Sequence, residues 1–169
     1  MNKSKHKKLL YIYGFLTAFI MLAIFLMSAQ DGNESGSLSS GFLKSIIGAV
    51  LSKILPSLTD KGFDYDIRKY AHMTEYFCLA VSSFLFAAEL FRFRKKRLLL
   101  SPVSAWLFSF LYACSDEFHQ LFVPGRAGRF TDVMIDSVGI SSAVILMLLI
   151  FLINNLRLRH SGSHGENNT

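Results

Sequence analysis

Imidazole, carboxylate, amide and phenol groups recur at helical spacing in segments otherwise built from Leu, Phe and Val. Lys69, His72, Glu75 and Tyr76 are separated by three or four positions, so a helix stacks them on one face. Asp116, His119 and Gln120 share a face in the same way, as do Glu117 and Gln120, and Asp132 and Asp136 are four apart. Several chemistries suit such groups. His72-x-x-Glu75 and Asp116-x-x-His119 have the i, i+3 spacing of dinuclear metal sites in helical bundles, but one pair is reversed, and no metal or other cofactor is expected. Arg68, Lys69, Arg126 and Arg129 could meet a phosphate or carboxylate, because guanidinium forks match such oxyanions, although a boundary arginine commonly only anchors a headgroup. His72 beside Glu75, or Asp116 beside His119, could work as an acid–base pair. A bland alternative is a network of interhelical pairs that only holds a bundle together. Each such bond contributes about 0.6 kcal/mol in a membrane, which makes so dense a group a poor device for stability alone. There is no G-x-S-x-G, HExxH or P-loop motif.

Four apolar runs position these groups, at about Leu9–Ser28, Tyr70–Phe91, Leu99–Gln120 and Val133–Ile153. Each approaches or exceeds the roughly 20 residues that cross a bilayer. The expected fold is an all-α integral membrane protein of 169 residues, with a membrane domain over 1–159 and a disordered polar tail over 160–169. The first run is too long for a signal-peptide core, and Met27 at the −3 position argues against cleavage after Ala29. Between the first two runs lies a Ser/Gly-rich loop, then Phe42–Leu58, where Phe42, Ile46, Val50, Ile54 and Leu58 form an apolar stripe opposite lysines. That pattern predicts an amphipathic helix in the membrane interface, with a re-entrant hairpin as its rival. Cys78 and Cys114 stand far apart with no CxxC pair and read as small buried residues.

Charge suggests orientation. The N-terminus, the 92–97 turn and the stretch after the fourth run carry eleven basic residues, with only Glu89 and Glu166 as acids on that side, while the other side carries seven basic and ten acidic residues. The positive-inside rule puts both termini in the cytoplasm of a bacterial membrane and the amphipathic helix outside. A pI of about 9.4 then follows from topology, anionic lipid is the expected partner of the lysines, and nucleic acid is not. All four spans bring polar groups to the outer side. The candidate binding set is Gln30, Arg68, Lys69, His72, Glu75, Tyr76, Asp116, Glu117, His119, Gln120, Arg126, Asp132 and Asp136, with His72 and Asp116 as candidates should the protein be catalytic. A charge facing lipid costs several kcal/mol, roughly, unless paired or wet, so these faces are expected to converge on a polar pocket.

The same residues carry a resemblance. S-A-Q at Ser28–Gln30, R-K-x-A-H-x-x-E-Y at Arg68–Tyr76, D-E-x-H-Q-x-F-x-P-G-R-x-x-x-x-x-D at Asp116–Asp132 and D-x-x-G at Asp136–Gly139 are similar to the VanZ-like family of bacterial membrane proteins. Many members carry Asn where Asp136 stands. The resemblance implies a helical membrane protein associated with teicoplanin resistance; teicoplanin is acylated and acts on cell-wall precursors at the outer membrane surface, which makes lipid-linked envelope precursors and lipidated glycopeptides the candidate ligand classes. Recognition of such an amphiphile is the leading expectation. A membrane enzyme acting on a lipid-linked phosphate or sugar, and a non-catalytic partner subunit, are the alternatives.

Overall fold

A computed structural model of the chain describes residues 3–29 and 63–165, and side chains within 3–29 and 69–157. Gln30, the Phe42–Leu58 segment and the side chain of Arg68 lie outside that description. The described part is helical, with α1 at Lys3–Ser28, α2 at Phe63–Leu90, α3 at Arg97–Gln120 and α4 at Phe130–Gly165. All four helices are long and apolar enough to cross a membrane. They overrun the apolar segments because backbone hydrogen bonding continues into the polar interface, where hydropathy has already fallen. Helix α4 continues to Gly165, beyond the point where composition alone turns polar.

Helix α2 is the centre of the bundle. Half of its most apolar window is buried, against 11% for α1, 22% for α3 and 28% for α4. It packs against each of the other three, α3 and α4 pack against each other, and α1 meets α3 only sparsely. The core is built from Tyr76, Leu79, Ala80 and Phe84 of α2 with Ile24, Ala105, Ala113, Ile140 and Ala143. Alanines at the contacts let the helices approach closely, which is the main source of attraction where lipid removes the hydrophobic driving force. The outer surface is correspondingly apolar. Tyr11, Phe15, Leu111 and Val138 are all more than half exposed, a surface suited to hydrocarbon rather than water. Cys78 is on that exposed surface and Cys114 is half-buried, so the expectation of two buried cysteines fails for Cys78.

Two kinds of end result. At the basic end, His6 Nδ1 lies 2.8 Å from Glu89 Oε2, and Arg92 Nη1 donates to both Glu89 oxygens at 3.0 and 2.9 Å. The guanidinium of Arg97 sits 4.5 Å from the centre of the Phe151 ring. At the opposite end, Tyr112 Oη donates to Met21 O at 2.6 Å, tying α3 to α1. Midway, Trp106 Nε1 donates to Ser141 Oγ at 3.0 Å and joins α3 to α4.

Candidate functional site

The C-terminal end of α3 gathers the polar groups. Asp116 Oδ2 accepts from Ser28 Oγ of α1 at 2.8 Å and from Gln120 Nε2 at 3.1 Å, one helical turn away. The same amide nitrogen lies 3.2 Å from Glu117 Oε1. Glu117 Oε2 in turn accepts from the backbone N–H of Arg129 at 3.0 Å. That bond satisfies a donor just ahead of α4, where a carboxylate also favours the positive end of the helix dipole.

The intervening turn is shaped by its glycines. Gly125 has φ 71°, which a residue with a Cβ rarely adopts, and Pro124 precedes it. Gly128 packs so closely that a Cβ there would collide with the carbonyl oxygen of Glu117. This tight course lets Arg126 reach across and donate from Nη2 to Met27 O at 2.8 Å, next to the Ser28–Asp116 bond. Helix α4 approaches α2 by the same means. A Cβ on Gly139 would collide with Met73 O, so the glycine permits backbone contact one turn beyond Asp136. The D-x-x-G pattern thus has a physical reason: Gly139 brings Asp136 up against the Glu75–Tyr76 face of α2.

Five carboxylates meet here. Asp136 is within electrostatic range of Glu75, Asp116, Glu117 and Asp132, and Glu75 is within range of Asp116 and Arg126. Asp136 is 1% exposed and Asp116 is 4% exposed. Among the described residues, Asp116 Oδ1, Asp132 Oδ1, Asp136 Oδ2 and the hydroxyl of Tyr76 are buried with no hydrogen-bond partner. A buried acceptor without a donor is costly, about 1–3 kcal/mol, and needs an explanation wherever it occurs. The open valences at this site are therefore mostly acceptors.

The predicted set divides in the folded chain. Glu75, Tyr76, Asp116, Glu117, Gln120, Arg126, Asp132 and Asp136 come together at one end of the bundle. His119 is turned toward α1, where its ring stacks on Phe25 at 4.8 Å. Lys69 and His72 are half-buried on the first turns of the described face of α2. Glu117 combines two parts, because it caps the following turn as well as bordering the cluster. No group of three or more His, Cys, Asp or Glu side chains among the described residues has the geometry to hold a metal ion. Sequence reading passed over Ser28 as a direct ligand of Asp116 and the His6–Glu89–Arg92 lock. The signal for the lock was present: Glu89 is the only acid between Tyr76 and the basic 92–97 turn.

Comparison with known proteins returns one match. The family model described as VanZ/LLP1 matches residues 13–153, which include every element of this site. No curated protein and no solved structure matches the chain significantly.

Proposed function

The chain belongs to the VanZ/LLP1 family, and from that premise we propose that it is a multi-pass protein of the bacterial cytoplasmic membrane that recognises an amphiphile at its carboxylate-rich end. The ligand class is an acylated, glycosylated molecule, either a lipid-linked envelope precursor or a teicoplanin-type glycopeptide. The carrying observation is the pair of buried acceptors with no hydrogen-bond partner, Asp132 Oδ1 and Asp136 Oδ2, beside Asp116, whose carboxylate the Tyr76 hydroxyl can serve. Sugar hydroxyls, amide N–H groups and ammonium groups all supply what these oxygens lack. An anionic head is a poorer match, since five carboxylates surround the place where it would sit. Lys69 and Arg126 are then better read as rim and scaffold than as the principal contacts, and one N–H of Arg126 already serves Met27 O. The basic termini and the 92–97 turn favour an outward orientation of this end by the positive-inside rule, on the side where envelope precursors and glycopeptides meet. The Phe42–Leu58 segment, with its apolar stripe, would flank lateral access from the outer leaflet.

The test is tolerance to teicoplanin in a susceptible host producing the wild-type protein, Asp116→Asn or Asp132→Asn at matched abundance. Wild type raises tolerance, both variants lose most of the gain, and a glycopeptide without an acyl chain shows no such difference. Variants that protect as well as wild type would sink the reading. So would a wild type that leaves tolerance unchanged while the purified protein fails to bind lipid-linked envelope precursors.

A further inference from the structure

Helix α1 is pinned twice, and the pins hold it to different neighbours. At the basic end His6 is joined to Glu89 of α2. At the other end Ser28 is joined to Asp116 of α3, and Met21 O to Tyr112 of α3. Between the pins, α1 and α3 separate and a crevice of about 310 Å³ opens between α1, α2 and α3. It lies in the basic half of the bundle, since its walls come from 14–21 of α1, the last turns of α2 and the first turns of α3.

The walls are small where the helices face each other: Gly14 and Ala18 on α1, Ser83 and Ala87 on α2, Ser104 and Ala105 on α3. Phe86, Phe91 and Phe108 complete them. The hydroxyls of Thr17 and Ser104 donate to Tyr13 O and Leu100 O of their own helices, while the buried Ser83 Oγ has no hydrogen-bond partner and is the one polar atom of the described lining left open. The lining is therefore mostly apolar, slender and inside the hydrocarbon zone. A water-filled void is disfavoured there, because water needs several polar partners. Phe15, Phe19 and Leu107, each next in sequence to a lining residue, are exposed on the lipid-facing surface, as are the lining residues Ala18 and Phe108, which suits sideways entry of a chain from the bilayer.

Charge identifies which lipid. Glu89, the only acidic side chain beside the crevice among the described residues, is paired with Arg92 and hydrogen-bonded to the His6 ring. The rest of this end carries Lys3, Lys5, Lys7 and Lys8 at the start of α1, and Arg94, Lys95, Lys96 and Arg97 around the turn before α3. Such a ring attracts an anionic headgroup at the membrane surface.

We infer that the crevice between α1, α2 and α3 holds one acyl chain of an anionic phospholipid from the leaflet on the basic side. This site is separate from the carboxylate-rich end and does not depend on how that end is read. It is tested with the whole protein in phosphatidylcholine nanodiscs, using phosphatidylglycerol and phosphatidylcholine probes that carry a diazirine at mid-chain. After photolysis, adducts are mapped by peptide sequencing. The phosphatidylglycerol probe labels the 14–21, 83–91 and 104–108 segments several-fold more than the phosphatidylcholine probe. Ala18→Phe, at an exposed position where the ring can fill the crevice, lowers that labelling several-fold, and Ser104→Phe acts as a second plug. Leu22→Phe, on the lipid-facing surface outside the crevice, does not. Melting temperature and dispersity of each variant establish that it is folded. Equal labelling by the two probes, adducts spread over lipid-facing residues with none in the three segments, or labelling indifferent to both plugs in folded protein would each overturn the inference.

Discussion

At the scale of single residues, two glycines do as much as the acids they place. Gly128 and Gly139 are positions where backbone meets backbone: one turn against Glu117, and one helix against Met73. Without the first, Glu117 could not cap Arg129. Without the second, Asp136 could not sit among Glu75, Asp116 and Asp132. A methyl at 139 has no flexible side chain to displace, since the atom it meets is a main-chain carbonyl oxygen. Helix α4 must therefore move away from α2, and overpacking of that kind costs about 1–3 kcal/mol. Gly139→Ala is expected to lower the unfolding free energy in detergent by about that amount, while Ala at lipid-facing Val138 leaves it within about 0.5 kcal/mol. The two variants are compared by denaturant titration followed by far-UV circular dichroism. Indifference to Gly139→Ala would mean that α2 and α4 are not in backbone contact at this position.

At the scale of elements, the four spans were legible because the bilayer dictates length and hydropathy so strongly. Their ends were not, because the ladder of backbone hydrogen bonds extends past the last apolar residue at Lys3, Phe63 and Gly165. Convergence of Glu75, Asp116, Glu117, Asp132 and Asp136 could be read from helical spacing plus a shared membrane depth. Spacing could not reveal which acids were already satisfied. That Asp116 meets Ser28 and Glu117 meets the Arg129 amide depends on the course of a turn. Likewise the α1–α3 gap depends on side-chain sizes from three helices at once, which no single-segment pattern carries. The least buried helix, α1, is held by polar pins as well as by its packing on α2. Loss of the Glu89 carboxylate removes the His6 contact and both Arg92 bonds. Hydrogen bonds to charged groups contribute roughly 1.5–3 kcal/mol, so the basic end of α1 should then fluctuate away from α2. Cysteines replacing Gly14 and Phe86, which face each other, report this in a background lacking Cys78 and Cys114. A short bifunctional thiol reagent should bridge them efficiently in the parent and several-fold less in Glu89→Ala. Equal bridging would show that packing alone seats α1.

The whole molecule is electrically lopsided, and this asymmetry has an experimental handle. One end carries the lysines of α1 and the 92–97 turn, and the other carries the carboxylate cluster and the 121–129 turn. Near an anionic surface each Lys or Arg contributes about 1 kcal/mol, and basic residues flanking spans bias which side is retained during insertion. With four spans, a single choice fixes both turns and both termini. In the cysteine-free background, a cysteine replacing Lys95 reports the basic turn and one replacing Ala127 reports the other. Ala127 is exposed, next to Arg126 and Gly128, and replacing it disturbs neither the Met27 bond nor the close contact at Glu117. A membrane-impermeant maleimide added to intact cells should modify position 127 rapidly and position 95 only after permeabilisation. The reverse pattern would place the carboxylate end in the cytoplasm. An extracellular glycopeptide could not then reach the oxygens of Asp116, Asp132 and Asp136. The amphiphile reading of that end would fall, whereas the acyl-chain crevice would survive with its lipid drawn from the opposite leaflet.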